Sequence, residues 1–98
     1  MDAEKLIEKY CKDNALFLLT DDAHSYGAQL YNPYKDERRC AGTFVDAGVF
    51  SFYPSKNLGA WGDGGAIVTS DSARARQFKE LRDHGSSQKN VHTSIGYT

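Results

Sequence analysis

Ser51-Phe52-Tyr53-Pro54-Ser55-Lys56-Asn57-Leu58-Gly59 runs through Ala60 and Trp61 into Gly62-Asp63-Gly64-Gly65-Ala66-Ile67-Val68-Thr69, setting one lysine just past an apolar segment and surrounding it with glycine. Residues 47–52 predict one strand and residues 66–69 another, with the glycine-rich stretch as the turn between them. A lysine in such a loop is by itself commonly a solvated charge. It becomes a covalent trap for carbonyl groups when desolvation or a neighbouring positive centre keeps its amine unprotonated for part of a cycle. The glycines at 59, 62, 64 and 65 let backbone approach a bound group closely, as that chemistry requires. Gly62-Asp63-Gly64-Gly65 is not a dinucleotide fingerprint, because it lacks the GxGxxG spacing and leads into a strand rather than a helix. Asn57 and Asp63 read as loop-forming residues.

Upstream, residues 15–19 form a continuous apolar run, too short for a helix after Asp13-Asn14, which predicts a strand covered on both faces. It ends at Thr20-Asp21-Asp22-Ala23-His24-Ser25-Tyr26-Gly27-Ala28, so Asp21 stands just past a strand end, where α/β proteins place ligand-binding groups. Ala3, Leu6, Ile7, Tyr10 and Cys11 recur at helical spacing and predict an amphipathic helix over residues 2–13, with Asp2 and Glu4 near its positive end. Residues 29–43, with Asn32-Pro33 and a charged cluster from Lys35 to Arg39, predict a solvated loop. From Ser70 or Asp71 a helix carrying Ala73, Phe78 and Leu81 is expected to reach about His84 and stop at Gly85. No closing element is expected over the remaining residues to Thr98. The layout is α/β with an at least partly parallel sheet, such as a piece of a larger sheet would show.

The chain has 98 residues, 12 Lys+Arg against 13 Asp+Glu and a formal net charge of −1, with both signs mixed along it. No basic stripe is available for nucleic-acid phosphates, so nucleic acid is not an expected partner. One domain is expected, spanning residues 1–98. No apolar run is long enough to span a membrane and no signal-peptide pattern opens the chain, so the expected location is the cytoplasm. Cys11 and Cys40 read as reduced thiols. His84 and His92 have no ligand spacing, and no metal is expected.

The lysine string and the Asp21 segment together resemble the pyridoxal-phosphate-dependent nucleotide-sugar aminotransferases of the DegT/StrS type. That resemblance implies a three-layer α/β/α fragment of a fold type I aminotransferase large domain with a mostly parallel sheet, with no second domain. Lys56 matches the lysine that bonds covalently to pyridoxal 5'-phosphate. Asp21 matches the aspartate that pairs with the cofactor's ring nitrogen, and His24 the position, usually glutamine or histidine, that contacts the ring near its phenolic oxygen. Ser51 matches the serine that binds the cofactor phosphate. The implied partners are a nucleotide-sugar substrate and an amino-acid donor, glutamate by the family pattern, and a second copy of the full-length protein as homodimer. The segment departs from the family pattern at Thr20 and Asp22, where Glu-Asp-Ala-Ala is usual, and at Thr98, which holds the place of an asparagine that reaches the partner subunit's phosphate. Asp22 adds a like charge beside Asp21. Two rival readings stay open. One is a non-catalytic remnant or truncated fragment; the other is a sugar dehydratase of the same fold, which replaces the lysine by histidine.

Overall fold

The computed structural model describes residues 3–97. Helix α1 (Ala3–Asp13) is followed by strand β1 (Leu19–Asp21), hairpin strands β2 (Gln29–Asn32) and β3 (Glu37–Cys40), then β4 (Ala47–Ser51) and β5 (Gly65–Val68). Helix α2 (Ser72–Arg82) and the short strands β6 (Ser86–Gln88) and β7 (Val91–His92) complete the order. The main sheet runs β1-β4-β5. β1 and β4 are parallel with Asp21 opposite Val49, and β4 and β5 are antiparallel with Ser51 opposite Gly65, so the sheet is mixed.

Helix α1 takes up the expected stripe and ends in a Schellman motif: the N–H of Leu16 donates to the carbonyl of Cys11 at 2.8 Å and that of Ala15 to Lys12 at 3.3 Å, with Ala15 at φ 51°. Asp2, expected in the first turn, lies outside the described residues. This cap corrects the strand expected over residues 15–19. The helix end consumes Ala15 and Leu16, and pairing with β4 starts only at Leu19. Nor is that run covered on both faces, since Leu16, Phe17 and Leu19 are each about half exposed.

The loop expected over residues 29–43 is also corrected. It contains the antiparallel pair β2-β3, closed by a turn in which the Asn32 side chain accepts from the N–H of Tyr34 at 3.0 Å. Pattern could not disclose these strands, because β3 is exposed at every position and carries charge on both faces. Tyr31 stands opposite Arg38, whose guanidinium lies 5.7 Å from its ring centre.

Asp71 is the N-cap of α2, accepting from the N–H of Arg74 at 3.0 Å, and that backbone bond holds its carboxyl below the usual carboxylate range. The helix ends at Arg82, and the β6-β7 hairpin follows where no further element was expected. Residues past the hairpin return to α2: the N–H of Tyr97 donates to the carbonyl of Leu81 at 2.6 Å and that of His84 to Tyr97 at 3.0 Å. The amino end of the sheet is tied by Asp46, which accepts from the N–H of Leu18 at 2.7 Å and faces the Arg74 guanidinium at 3.6 Å.

The molecule is a slab of 50 × 37 × 17 Å with a radius of gyration of 16.0 Å, against about 13 Å for a compact domain of this length. Ala47 is its only fully buried apolar residue among those described, and the α1 stripe at Leu6, Ile7 and Tyr10 stays more than half exposed. Cys11 and Cys40 are free thiols. Among the described residues no helix is long and apolar enough to cross a membrane.

Candidate functional site

The site lies at the carboxyl end of the parallel pair β1-β4, where two loops meet. In a strand, residues two apart share a face, and residues paired across strands share it too. Since Asp21 is opposite Val49, Asp21 and Ser51 project from one face of the sheet, and Thr20, Asp22 and Phe50 from the other. The Asp21 side chain is exposed, its Oδ1 accepting from the N–H of Ala23 at 3.1 Å. Ser51 is half-buried, its hydroxyl 3.4 Å from the N–H of Tyr53. The two adjacent carboxylates are thereby separated by strand alternation.

The loop after β4 presents Lys56. It is closed by backbone bonds: Phe52 donates to Gly64 at 2.8 Å, Ala60 to Phe52 at 2.7 Å and Lys56 to Tyr53 at 2.8 Å. Gly59 packs on the carbonyl of Pro54 so closely that a Cβ there would collide with it, which explains a glycine at that place in the motif. Lys56 is half-buried, and its Nζ lies 3.0 Å from Nε2 and 3.5 Å from Nδ1 of His24. Nearness to both ring nitrogens sets the amine alongside the imidazole rather than on a single lone pair.

The structure thus brings His24 and Lys56, 32 positions apart in the chain, into contact. Asp21 and Ser51 share a sheet face at the same end, and neither bonds to Lys56. Three residues not singled out as functional hold the loops together. Tyr26 meets the rings of Phe50 and Phe52 edge-on, each at 5.6 Å between centres. Asn57 Nδ2 lies 3.4 Å from the Tyr26 carbonyl, so this side chain ties the lysine loop to the histidine loop. Asp22 lies beneath, buried and bonded to Thr20 and Ser25. Only the aromatic alternation at 50 and 52 signalled any of this in the sequence. Among the described residues no three metal-binding side chains converge.

An open carboxylate, a hydroxyl on the same face and an amine beside an imidazole put an acceptor, a donor and a carbonyl-reactive group at one end of the sheet. Residues 2–98 match the DegT/DnrJ/EryC1/StrS aminotransferase family. The chain is 44% identical over 84 residues to the UDP-N-acetyl-3-dehydro-alpha-D-glucosamine 3-aminotransferase of Acidithiobacillus ferrooxidans, covering 86% of this chain and 21% of that protein. It is 45% identical over 83 residues to the dTDP-3-amino-3,4,6-trideoxy-alpha-D-glucose transaminase of Streptomyces venezuelae, covering 85% and 20%. The crystal structure of S. venezuelae DesV in complex with a ketimine intermediate superposes with a TM-score of 0.80 at 33% identity, covering 100% of this chain and 25% of that one. The chain belongs to the DegT/DnrJ/EryC1/StrS aminotransferase family, whose members are pyridoxal-phosphate-dependent enzymes of fold type I. It spans about a fifth to a quarter of the length of these relatives.

Proposed function

We propose that residues 1–98 are part of the large cofactor-binding domain of a sugar aminotransferase, with no second domain among them. The full-length protein moves an amino group from an amino acid, glutamate by the family pattern, to a keto sugar carried on a nucleoside diphosphate. It does so as a cytoplasmic homodimer. Support comes chiefly from one observation: the Lys56 amine lies 3.0 Å from His24 at the end of the sheet where Asp21 and Ser51 face the same way. The names of the similar enzymes, which act on UDP- and dTDP-linked sugars, support the substrate class.

Pyridoxal 5'-phosphate, when bound, supplies a carbonyl for amine capture and a ring that takes up electrons. Asp21 holds the proton on the ring nitrogen by charge, which a neutral side chain cannot do. Ser51 would hold the phosphate through its hydroxyl, and His24 would help to hold the ring. Lys56 would anchor the cofactor covalently, and its amine would carry the proton at the substrate carbon.

Borohydride treatment of the cofactor-loaded, full-length protein tests the assignment. A reduced cofactor adduct on the Lys56 peptide, lost in Lys56→Ala together with amino transfer from glutamate to a nucleotide keto sugar, is the expected result. An adduct on another lysine overturns it.

A further inference from the structure

Asp22 is the charged side chain that the described residues bury most deeply, with 9% of its surface exposed. Its carboxylate is held by neutral hydroxyls: Thr20 Oγ1 donates to Oδ2 at 2.6 Å and Ser25 Oγ to Oδ1 at 2.8 Å. Its backbone N–H donates to the carbonyl of Val49 at 2.8 Å, and its carbonyl accepts from the N–H of Ser25 at 3.0 Å. The carboxylate lies in a slot walled by Gly42 and Gly48. A Cβ on either glycine would stand 3.2 Å from Oδ2, and one on Gly48 would run into the Gly42 backbone. Burying a carboxylate on hydroxyl donors alone is unfavourable, and it stands here where the family pattern has alanine, so its presence in this chain calls for a compensating role.

Geometry supplies one. The bonds from Asp22 fasten three points of a single turn: the strand end at Thr20, the neighbouring strand at Val49 and the loop at Ser25. Asp21 lies between the first two and projects from the opposite face. His24 immediately precedes the third and lies against Lys56. A turn fixed at those points leaves Asp21 and His24 little freedom of direction.

We propose that Asp22 is a positioning residue that, through Thr20 and Ser25, holds His24 against the Lys56 amine and Asp21 toward the opposite face. It touches neither cofactor nor substrate. The proposal rests on the aminotransferase reading for its catalytic consequence but not for its structural one.

The test uses the full-length protein, with selectively labelled histidine and lysine, in two states. Without cofactor, nuclear Overhauser contacts between the His24 ring and the Lys56 ε-methylene are expected in the unmutated protein and in Asp22→Asn. In the latter, one of the Thr20 and Ser25 hydroxyls turns to accept from the amide N–H while the other goes on donating to the amide oxygen. The contacts are lost in Asp22→Ala and in Ser25→Ala, while those between Tyr26 and Phe50 persist. With cofactor, kcat of Asp22→Ala falls by about a hundredfold, as displacement of a reacting group by about 1 Å produces, with KM changed by less than about threefold. If Asp22→Ala fails to fold, Ser25→Ala carries the comparison, because it removes only the side-chain bond from Asp22 to the histidine loop and keeps the backbone one. Persistence of the His24–Lys56 contacts in both variants overturns the proposal. So does an equal loss of kcat in Asp22→Asn and Asp22→Ala, which would mean that the charge acts directly. Failure of the borohydride adduct on Lys56 in the unmutated protein would refute the aminotransferase reading and leave the contact comparison intact.

Discussion

Replacing Gly59 by alanine places a methyl group on the carbonyl of Pro54, with the Pro54 carbonyl carbon 3.1 Å and its Cα 3.2 Å away. All three atoms are backbone, so no side chain can swing aside. Ordinary carbon contacts require about 3.5 Å or more, so the two arms of the lysine loop must part by roughly 1 Å. The loop resists this at Phe52, which accepts from Ala60 at 2.7 Å, and at Tyr53, which accepts from Lys56 at 2.8 Å. Overpacking of this kind costs about 1–3 kcal/mol. The displacement falls on the segment that carries Lys56, where misplacement by about 1 Å lowers turnover by about a hundredfold. The assay is paired: thermal unfolding of the full-length Gly59→Ala variant, and the rate at which its cofactor is fixed on Lys56 by borohydride. A lowered melting temperature together with slowed fixation is expected. Unchanged melting with unchanged fixation would refute the reasoning, because the Pro54–Gly59 contact would then not shape the loop.

In the full-length protein Asp21→Asn is expected to lower kcat by about a hundredfold or more with little change in cofactor affinity, since the amide keeps a contact but loses the charge. Near-normal turnover, read by steady-state kinetics, would exclude Asp21 as the ring partner. The Asp71 cap has a carboxyl held below the usual range by the Arg74 N–H, so its contribution is present above the unfolded-state value and is lost as pH falls through the lower folded one. Melting curves from pH 7 to pH 3 should therefore show an acid-sensitive stabilisation that is missing from Asp71→Asn, which keeps a cap but does not titrate. The 98-residue chain by itself exposes 7697 Å², against roughly 5,600 Å² for a compact chain of its size, so calorimetry and size exclusion should find a broad or absent transition and association. A sharp monomeric transition with measurable amino transfer would refute that expectation.

The elements legible in the sequence were those whose pattern is enforced locally. Helix α1 followed from its stripe, α2 from the Asp71 cap, and β4 and β5 from apolar runs on either side of glycine. The misreadings arose where a local signal was overruled by something local of another kind. Residues 15–19 are apolar enough for a strand, yet a Schellman cap spends the first of them on ending a helix. β2 and β3 leave nearly all their side chains exposed, and the contact of Arg38 with the Tyr31 ring lies on the surface, so no apolar period marks them. For the site, the motif brought forward Lys56, Asp21, His24 and Ser51, but contact between His24 and Lys56 is a product of the fold, across 32 positions of chain. The parts that secure that contact looked like ordinary loop residues: a tyrosine wedged against two phenylalanines, an asparagine reaching a carbonyl, and a second aspartate turned under the sheet. Asp22 shows why. One residue of strand alternation separates a carboxylate open to a ligand from one buried on two hydroxyls, and composition reads them as the same charge twice. Which of the two can meet a ligand and which is buried follows from the face each occupies, and the face is set by the pairing of Asp21 with Val49.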